Sequence, residues 1–189
     1  MEHNFFLLRI FFPLFLFCFS PVAAATELLS ESFSACELPE NWEVENLGGD
    51  CRWIFDSNRQ NETGGEGCYA MASSEDCSSG TSMDTVLFVS PVDCSRLTET
   101  TLSFQYDAYE QLNASTFAVE ISLDEGNDWS QIWVRNQSDP GPKTAVLDIS
   151  AEADRRPSVL IRFRYTASAK DWWWQVDDVQ ISGKKGKNR

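Results

Sequence analysis

SVLIRFRYTA, residues 158–167, alternates without a break: Val159, Ile161, Phe163 and Tyr165 fall on one side of an extended chain, Arg162 and Arg164 on the other. A period of two, with β-branched and aromatic residues on one side, is the pattern of a half-buried strand. It recurs in both directions from there. In TTLSFQYDAY (100–109) Leu102, Phe104, Tyr106 and Ala108 share a face; in STFAVEISLD (115–124) Phe117, Val119, Ile121 and Leu123 do. Shorter runs of the same kind are LLSESF (28–33), CRWIF (51–55), GCYAMA (67–72), TVLFVS (85–90), QIWVR (131–135) and TAVLDI (144–149). No segment carries a long helical stripe. Each sheet built from such strands must hide its apolar face on another, so the expected fold is all-β, an antiparallel sandwich.

The chain opens with MEHNFFLLRIFFPLFLFCFSPVAAATE. Arg9 is the one Lys or Arg in an apolar run from Phe5 to Phe19, and Ala23-Ala24-Ala25 supplies the small residues a signal peptidase reads. Residues 1–25 therefore read as a signal peptide and the rest as a secreted or extracellular chain, in the periplasm or at the cell surface if the source is bacterial. The apolar run is short for a stable membrane span. Glu2 offsets Arg9, which keeps an uncleaved anchor as the alternative, while Phe17 before Cys18 suits a lipoprotein site poorly. Removing 25 of 189 residues leaves 164, enough for a single domain with its own core, placed at 26–182. The remainder, GKKGKNR (183–189), reads as a basic, flexible tail.

With Glu2 and Arg9 gone, the 29 acidic and 15 basic side chains become 28 and 14, and the net charge stays at −14. That balance argues against nucleic acid, which is held by neutralising phosphates with Lys and Arg. It is compatible with cation binding. Five cysteines remain: Cys36, Cys51, Cys68, Cys77 and Cys94. In an exported chain they favour disulfides. Cys36–Cys51 and Cys68–Cys77 close the shortest loops and are the expected pairs. Cys94 is then left over, either buried and free or bridged to a partner, with Cys77–Cys94 as an alternative pairing.

The only histidine is His3, in the leader. The mature chain thus has no Ser-His-Asp or Cys-His mechanism and no His-rich zinc site. Paired-carboxylate glycosidase chemistry survives in principle, but so many acidic residues form close pairs by chance, and the expectation is no enzyme. ISLDEGNDWSQIW (121–133) has the spacing Ser122-x-Asp124-x-Gly126-x-x-Trp129. It reads as a hairpin in which Asp124 bonds its own turn, Gly126 takes a positive φ and Trp129 covers it. Similar patterns repeat in sialidase propellers; here the pattern occurs once, in a chain short for a propeller.

DWWWQVDDVQIS (171–182) resists simple alternation. Val176 and Val179 both look like core residues yet lie three apart, so either a bulge sits at Asp177–Asp178 or one carboxylate faces the interior rim. A rim carboxylate needs backbone N–H groups, an arginine such as Arg162 or Arg164, or a metal; Ca²⁺, held by such an Asp, another acidic residue and carbonyl oxygens, is one form of this. One or two of the three tryptophans should be buried and at least one should point outward. An outward ring can stack on a sugar or anchor a protein. Asn61, Asn113 and Asn136 head N-glycosylation sequons, relevant in a eukaryotic source.

Six segments in order, ESFSACELPENW (31–42), VLFVSPVDCS (86–95), TLSFQYDAY (101–109), VEISLDEGNDWSQIW (119–133), VLDIS (146–150) and VLIRFRYTASAKDWWWQVDDVQI (159–181), resemble the cleaved-adhesin or "choice-of-anchor" domains of secreted bacterial proteins, which are similar in turn to MAM domains. The resemblance implies an antiparallel jelly-roll β-sandwich, galactose-binding-like, serving adhesion and carbohydrate or protein recognition. It also implies a structural calcium at Glu31 and Asp178, with Asp177 beside it, and CRW (51–53), similar to the MAM arrangement, supports Cys36–Cys51. The expected function is a non-catalytic module binding carbohydrate or glycoprotein. Trp172 and Trp173 are the candidate ligand contacts, with Tyr109 and Glu110 as a neighbouring rim patch. The rival reading is a protein-interaction subunit with a protein partner, tethered through Cys94.

Overall fold

The computed structural model describes residues 25–186 apart from 57 and 79. The leader, with Arg9, His3 and Cys18, and the last three residues of the tail lie outside the described residues.

The strands are β1 (Ala25–Glu31), β2 (Glu43–Gly48), β3 (Ala70–Ser73), β4 (Met83–Phe88), β5 (Leu97–Tyr109), β6 (Thr116–Ser122), β7 (Ser130–Arg135), β8 (Asp139–Asp148), β9 (Leu160–Ala167) and β10 (Trp173–Lys185), with one helical turn, α1 (Ser150–Ala153), between β8 and β9. They form two antiparallel sheets. In the first the order is β1-β10-β5-β8, with β3 also paired to the start of β10; in the second it is β2-β4-β9-β6-β7. The two apolar faces close on each other as the alternation requires: Val159, Ile161, Phe163 and Tyr165 of β9 are all buried in the shared core with Leu102, Phe104, Tyr106 and Ala108 of β5. Arg162 and Arg164 lie on the outer face of the second sheet, paired with Glu120 and Asp84.

Two strand expectations differ from the structure. CRWIF is not a strand; it makes one isolated antiparallel bridge, Ile54 to Met71. β2 was not legible as a strand, since EVENLG is an edge strand with mostly exposed side chains and no apolar face to reveal its period. At the C-terminus β10 continues through Lys185, with Lys184 opposite Thr98 and ion-paired to Glu99. The first residues of the expected flexible tail are therefore strand.

The disulfide pairing is corrected. Cys36 bonds Cys68 and Cys51 bonds Cys77, with Cα–Cα separations of 5.2 and 5.3 Å. Loop length favoured the other pairs, but the antiparallel Ile54–Met71 bridge sets the register of 51–55 against β3. That register carries Cys51 toward 77 and leaves Cys36 beside 68. Cys94 is free and 1% exposed within the core, and burial pushes its thiol pKa up to about 11. A thiol so enclosed offers no bridge to a partner, which removes the expected tether.

Candidate functional site

β10 begins with the three tryptophans, and its backbone divides them. Trp174 follows the strand's alternation into the centre of the core, fully buried and within 5.4–5.8 Å of Trp53, Phe117, Trp133 and Phe163. Trp173 points to the opposite, outer face. Trp172 would share the face of Trp174, but its φ is +73°, a left-handed conformation that costs about 1–2 kcal/mol for a residue with a Cβ. The turn swings its ring away from the core to stack on Trp173, 5.5 Å between centroids with planes 23° apart. The carbonyl of Trp172 accepts from Ser74 N and the Tyr165 hydroxyl, which holds the turn in place.

Tyr109 completes this group. The register sets it opposite Trp173, and its ring lies 4.9 Å from Trp172 and 5.8 Å from Trp173. All three rings are half-buried, so each keeps surface for a ligand. Two polar groups fix the assembly. The indole N–H of Trp173 donates to Asp107 Oδ2 at 2.9 Å, and the Arg59 guanidinium lies 4.3 Å above the Trp173 ring. Arg59 is itself paired with Glu75. Asp107 is buried, and its other oxygen accepts from Gly141 N at 2.6 Å, so its position is set from two sides.

Arg59 belongs to a strap, residues 59–67, that crosses the outer face of the first sheet. Gln175 anchors it, accepting from Glu62 N and donating to Gln60 O. Gly65 passes so close to β10 that a Cβ there would sit 2.2 Å from Asp177 Oδ2, which only glycine permits. Asn61, in the strap, donates to Asp177 Oδ2 at 2.9 Å, and Thr63 donates to the same oxygen at 3.3 Å. The sequon at Asn61 is thus tied into the strap, whereas Asn113 and Asn136 are exposed.

The bulge expected at Asp177–Asp178 is present: pairing with β5 shifts between Asp177 and Gln180, and Asp178 has φ +44°. It lets Val176 and Val179 both reach the core. Asp177 is fully buried under the strap, and burial raises its pKa above the ordinary carboxylate value against the lowering effect of its hydrogen bonds. Its donors, Asn61, Thr63 and the backbone of Asp178, are all neutral. An uncompensated buried carboxylate among oxygen atoms fits a hard cation such as calcium in donor chemistry. The three expected ligands do not converge, however. Glu31 uses Oε1 to accept from Phe33 N at 2.5 Å, and Asp178 faces a separate polar groove of about 310 Å³ with Ser103, Gln105, Thr144 and Gln180. Among the described residues, the one trio of acidic or cysteine side chains with ligand atoms within 4.8 Å is Asp50, Cys51 and Cys77, and both cysteines are in a disulfide.

Glu110 is not a rim group. It is 8% exposed, with Oε2 accepting from Ser115 N and Oε1 buried without a partner. Beside it Asp171 accepts from the backbone N–H of Gln111, Leu112 and Ala114 and from the Ser115 hydroxyl, which pins the β5–β6 loop next to the aromatic rings. The structure therefore brings Tyr109, Trp172 and Trp173 together and sets Glu110 behind them. Sequence reasoning missed Asp107 and Arg59. Asp107 carried a signal, a carboxylate on the polar side of a core strand; Arg59 carried none, because its approach depends on the strap.

The Cleaved Adhesin Domain family matches residues 26–181, almost the whole described chain. The chain belongs to that family. Solved cleaved adhesin domains are similar in fold. The K3 domain of Lys-gingipain from Porphyromonas gingivalis w83 aligns with TM-score 0.56 at 17% identity over 84% of this chain and 99% of its own. The K1 domain of the same protein aligns with TM-score 0.55 at 16% identity over 87% and 99%. TmCBM61, solved in complex with β-1,4-galactotriose, aligns with TM-score 0.57 at 13% identity over 82% and 95%. No curated protein matches the sequence. This cleaved adhesin domain shares their β-sandwich, and no helix among its described residues is long and apolar enough to cross a membrane.

Proposed function

We propose that this cleaved adhesin domain is an exported, non-catalytic recognition module that binds carbohydrate through Tyr109, Trp172 and Trp173. The observation that carries the reading is the stacked, half-buried aromatic trio, fixed by Asp107 and Arg59 at the end of a rigid sheet. Ring faces presented this way match the apolar C–H faces of a sugar. The strained backbone at Trp172 supports the same reading, because that turn brings a second ring to the surface. The likeness in fold to a galactotriose-bound module supports carbohydrate as the ligand class, and β-1,4-galacto-oligosaccharides are the natural first probe. Calcium at Asp177 is part of the proposal: it would offset the buried charge and fix the strap that carries Arg59.

The test is binding of residues 26–189 to a glycan array, with calcium and with chelator, for the wild type and for Trp173→Ala. Binding to one sugar class, weakened about tenfold or more in the folded variant, supports the platform. A blank array from folded wild-type protein overturns carbohydrate recognition and favours a protein partner. A rise in thermal midpoint with calcium that Asp177→Asn abolishes supports the ion, whatever the array shows.

A further inference from the structure

The outer face of the second sheet holds an arrangement that the platform does not use. Arg162 of β9 points away from the core and lies beside two neighbouring rings, 4.1 Å from the centroid of Trp129 and 5.9 Å from that of Phe88. Trp129 is positioned by the turn after β6. Gly126 there has φ +89°, its N–H donates to Ser122 Oγ, Asp128 N donates to Asp124 Oδ1, and the Trp129 indole N–H donates back to Gly126 O. Phe88 comes from the adjacent strand β4, in register with Arg162 and 5.7 Å from Trp129. The turn and two strands thus gather two adjacent rings and one guanidinium, which lies over Trp129.

Among the described residues, only one of that guanidinium's three nitrogens has a partner. Nε donates to Glu120 Oε2 at 2.6 Å, and the side chain is 12% exposed. The two terminal nitrogens have no protein partner among the described residues. Neither is sealed from solvent, and Arg162 lines a groove of about 380 Å³. A nearly buried Arg set over the Trp129 ring and lining a groove, with its fork open, is a preorganised pair of donors. Three exposed carboxylates, Glu43, Glu45 and Glu125, line the same groove.

We infer that this groove is a second, independent binding site, for a neutral oligosaccharide. The fork donates to adjacent sugar hydroxyls, the carboxylates accept from others, and Phe88 and Trp129 contact the sugar's apolar face. A polyanion would be repelled by the three glutamates, and a simple cation would leave the fork unused. A hydroxyl, which both donates and accepts, satisfies both sets of groups. The site lies on the sheet opposite the strap and shares no residue with the platform.

The test reads the Trp129 indole N–H resonance by NMR in residues 26–189, assigned with a Trp129→Phe variant. Neutral tetrasaccharides of β-linked glucose, xylose and galactose are titrated in turn, with a galacturonate tetrasaccharide as the charged control. The expected result is a saturable shift with at least one neutral sugar and weaker binding of the galacturonate. The shift persists in the Trp172→Ala/Trp173→Ala variant and affinity falls about tenfold or more in Arg162→Gln. If Arg162→Gln fails to fold, Glu45→Gln, a surface change, supplies the second readout with a severalfold loss. No shift with any neutral sugar, tighter binding of galacturonate, or unchanged affinity in the folded Arg162 and Glu45 variants each overturns the inference. Loss of all sugar binding in the platform variant, with Trp129 silent throughout, overturns it while leaving the platform standing. Because the wild-type spectrum reports Trp129 directly, the test does not depend on the platform variant folding.

Discussion

Cys36–Cys68 and Cys51–Cys77 are interlaced, and the strap lies inside both loops. Replacing the first pair, as Cys36→Ser/Cys68→Ser, should lower stability by the loop entropy it removes from the unfolded chain. For a separation of 32 residues that is about 3.7 kcal/mol at 25 °C. The second bridge shortens the path only modestly. From 36 the chain runs 15 residues to 51, crosses to 77 and returns 9 residues to 68, and the figure falls to about 3.5 kcal/mol. Cys36 is exposed and Cys68 half-buried, so the serine hydroxyls add little cost. Against a domain stability of about 5–15 kcal/mol, the variant should fold but with a much reduced margin. With a urea m-value of about 2 kcal/mol/M, the unfolding midpoint should drop by about 1.7 M. Sugar affinity at the platform should fall as well, since Arg59 rides on the strap. Urea titration by tryptophan fluorescence measures the first effect, and a non-reducing peptide map of the wild type checks its premise. A midpoint shift below about 0.3 M, or a map joining Cys36 to Cys51, would refute the reasoning.

Three further outcomes follow from single residues. The Asp177 pKa is raised in the fold, so the native state binds a proton more tightly than the unfolded chain; its contribution is full below the ordinary value of 3.8 and is lost as pH rises through the folded pKa. In chelator, wild type should therefore lose stability relative to Asp177→Asn on going from about pH 3 to pH 6, and a flat or rising difference in urea-derived stability would contradict it. Cys94, with its thiol pKa near 11 and its side chain in the core, should be unreactive to a thiol reagent at pH 8 in native residues 26–189 and react as one thiol per chain of that length in denaturant; prompt native labelling would contradict its placement. Gly126→Ala makes ordinary van der Waals contact, 3.6 Å from Leu160 and Trp129, so its cost should be the conformational one of about 1–2 kcal/mol for a positive φ, read as a lowered thermal midpoint.

The sandwich was legible because burial imposes a period of two wherever a strand has one face in the core. β5 and β9 show it cleanly and line the core; β6 shows it in residue type, through Phe117, Val119 and Ile121, although Ala118, Glu120 and Ser122 on its other face are buried too. Legibility failed where the apolar residues themselves do not alternate. β2 has no buried face to speak of, and the start of β10 is buried on both sides, by the core under Trp174 and by the strap over Gln175 and Asp177. The bulge could be read from Val176 and Val179 because two core residues at odd spacing leave no regular alternative. The disulfide partners could not be read, because loop length reports the entropy of closure and carries nothing of the register that decides which cysteines meet. At the site, Tyr109 and Trp173 were each visible as aromatics at strand ends, but their juxtaposition is a matter of strand pairing. Glu110 was misplaced for another reason: it shares the parity of Leu102, Phe104, Tyr106 and Ala108 and is buried accordingly, but its charge favoured the rim.

The two proposed sites lie so that a small sandwich could hold a polymer at two points. The platform sits at the end of the first sheet and the Arg162 groove on the outer face of the second, with the core between them. Packed sheets are about 10 Å apart, so the two sites face away from each other and cannot grip the same sugar unit. They can, however, hold two chains at once, or two stretches of one long chain that wraps the domain's edge. In either case the second contact is made at the high effective concentration set by the first, so modest affinity at each site yields firm attachment to a polymer and weak attachment to a free oligosaccharide. Rigidity makes this work. Trp173 and Arg162 both project from core strands whose inner faces are packed by Trp174 and by Phe163, so the spacing between the sites is set by the core. The domain should accordingly cross-link soluble polysaccharide as a monomer, and Arg162→Gln or Trp173→Ala alone should abolish cross-linking while leaving simple binding at the other site.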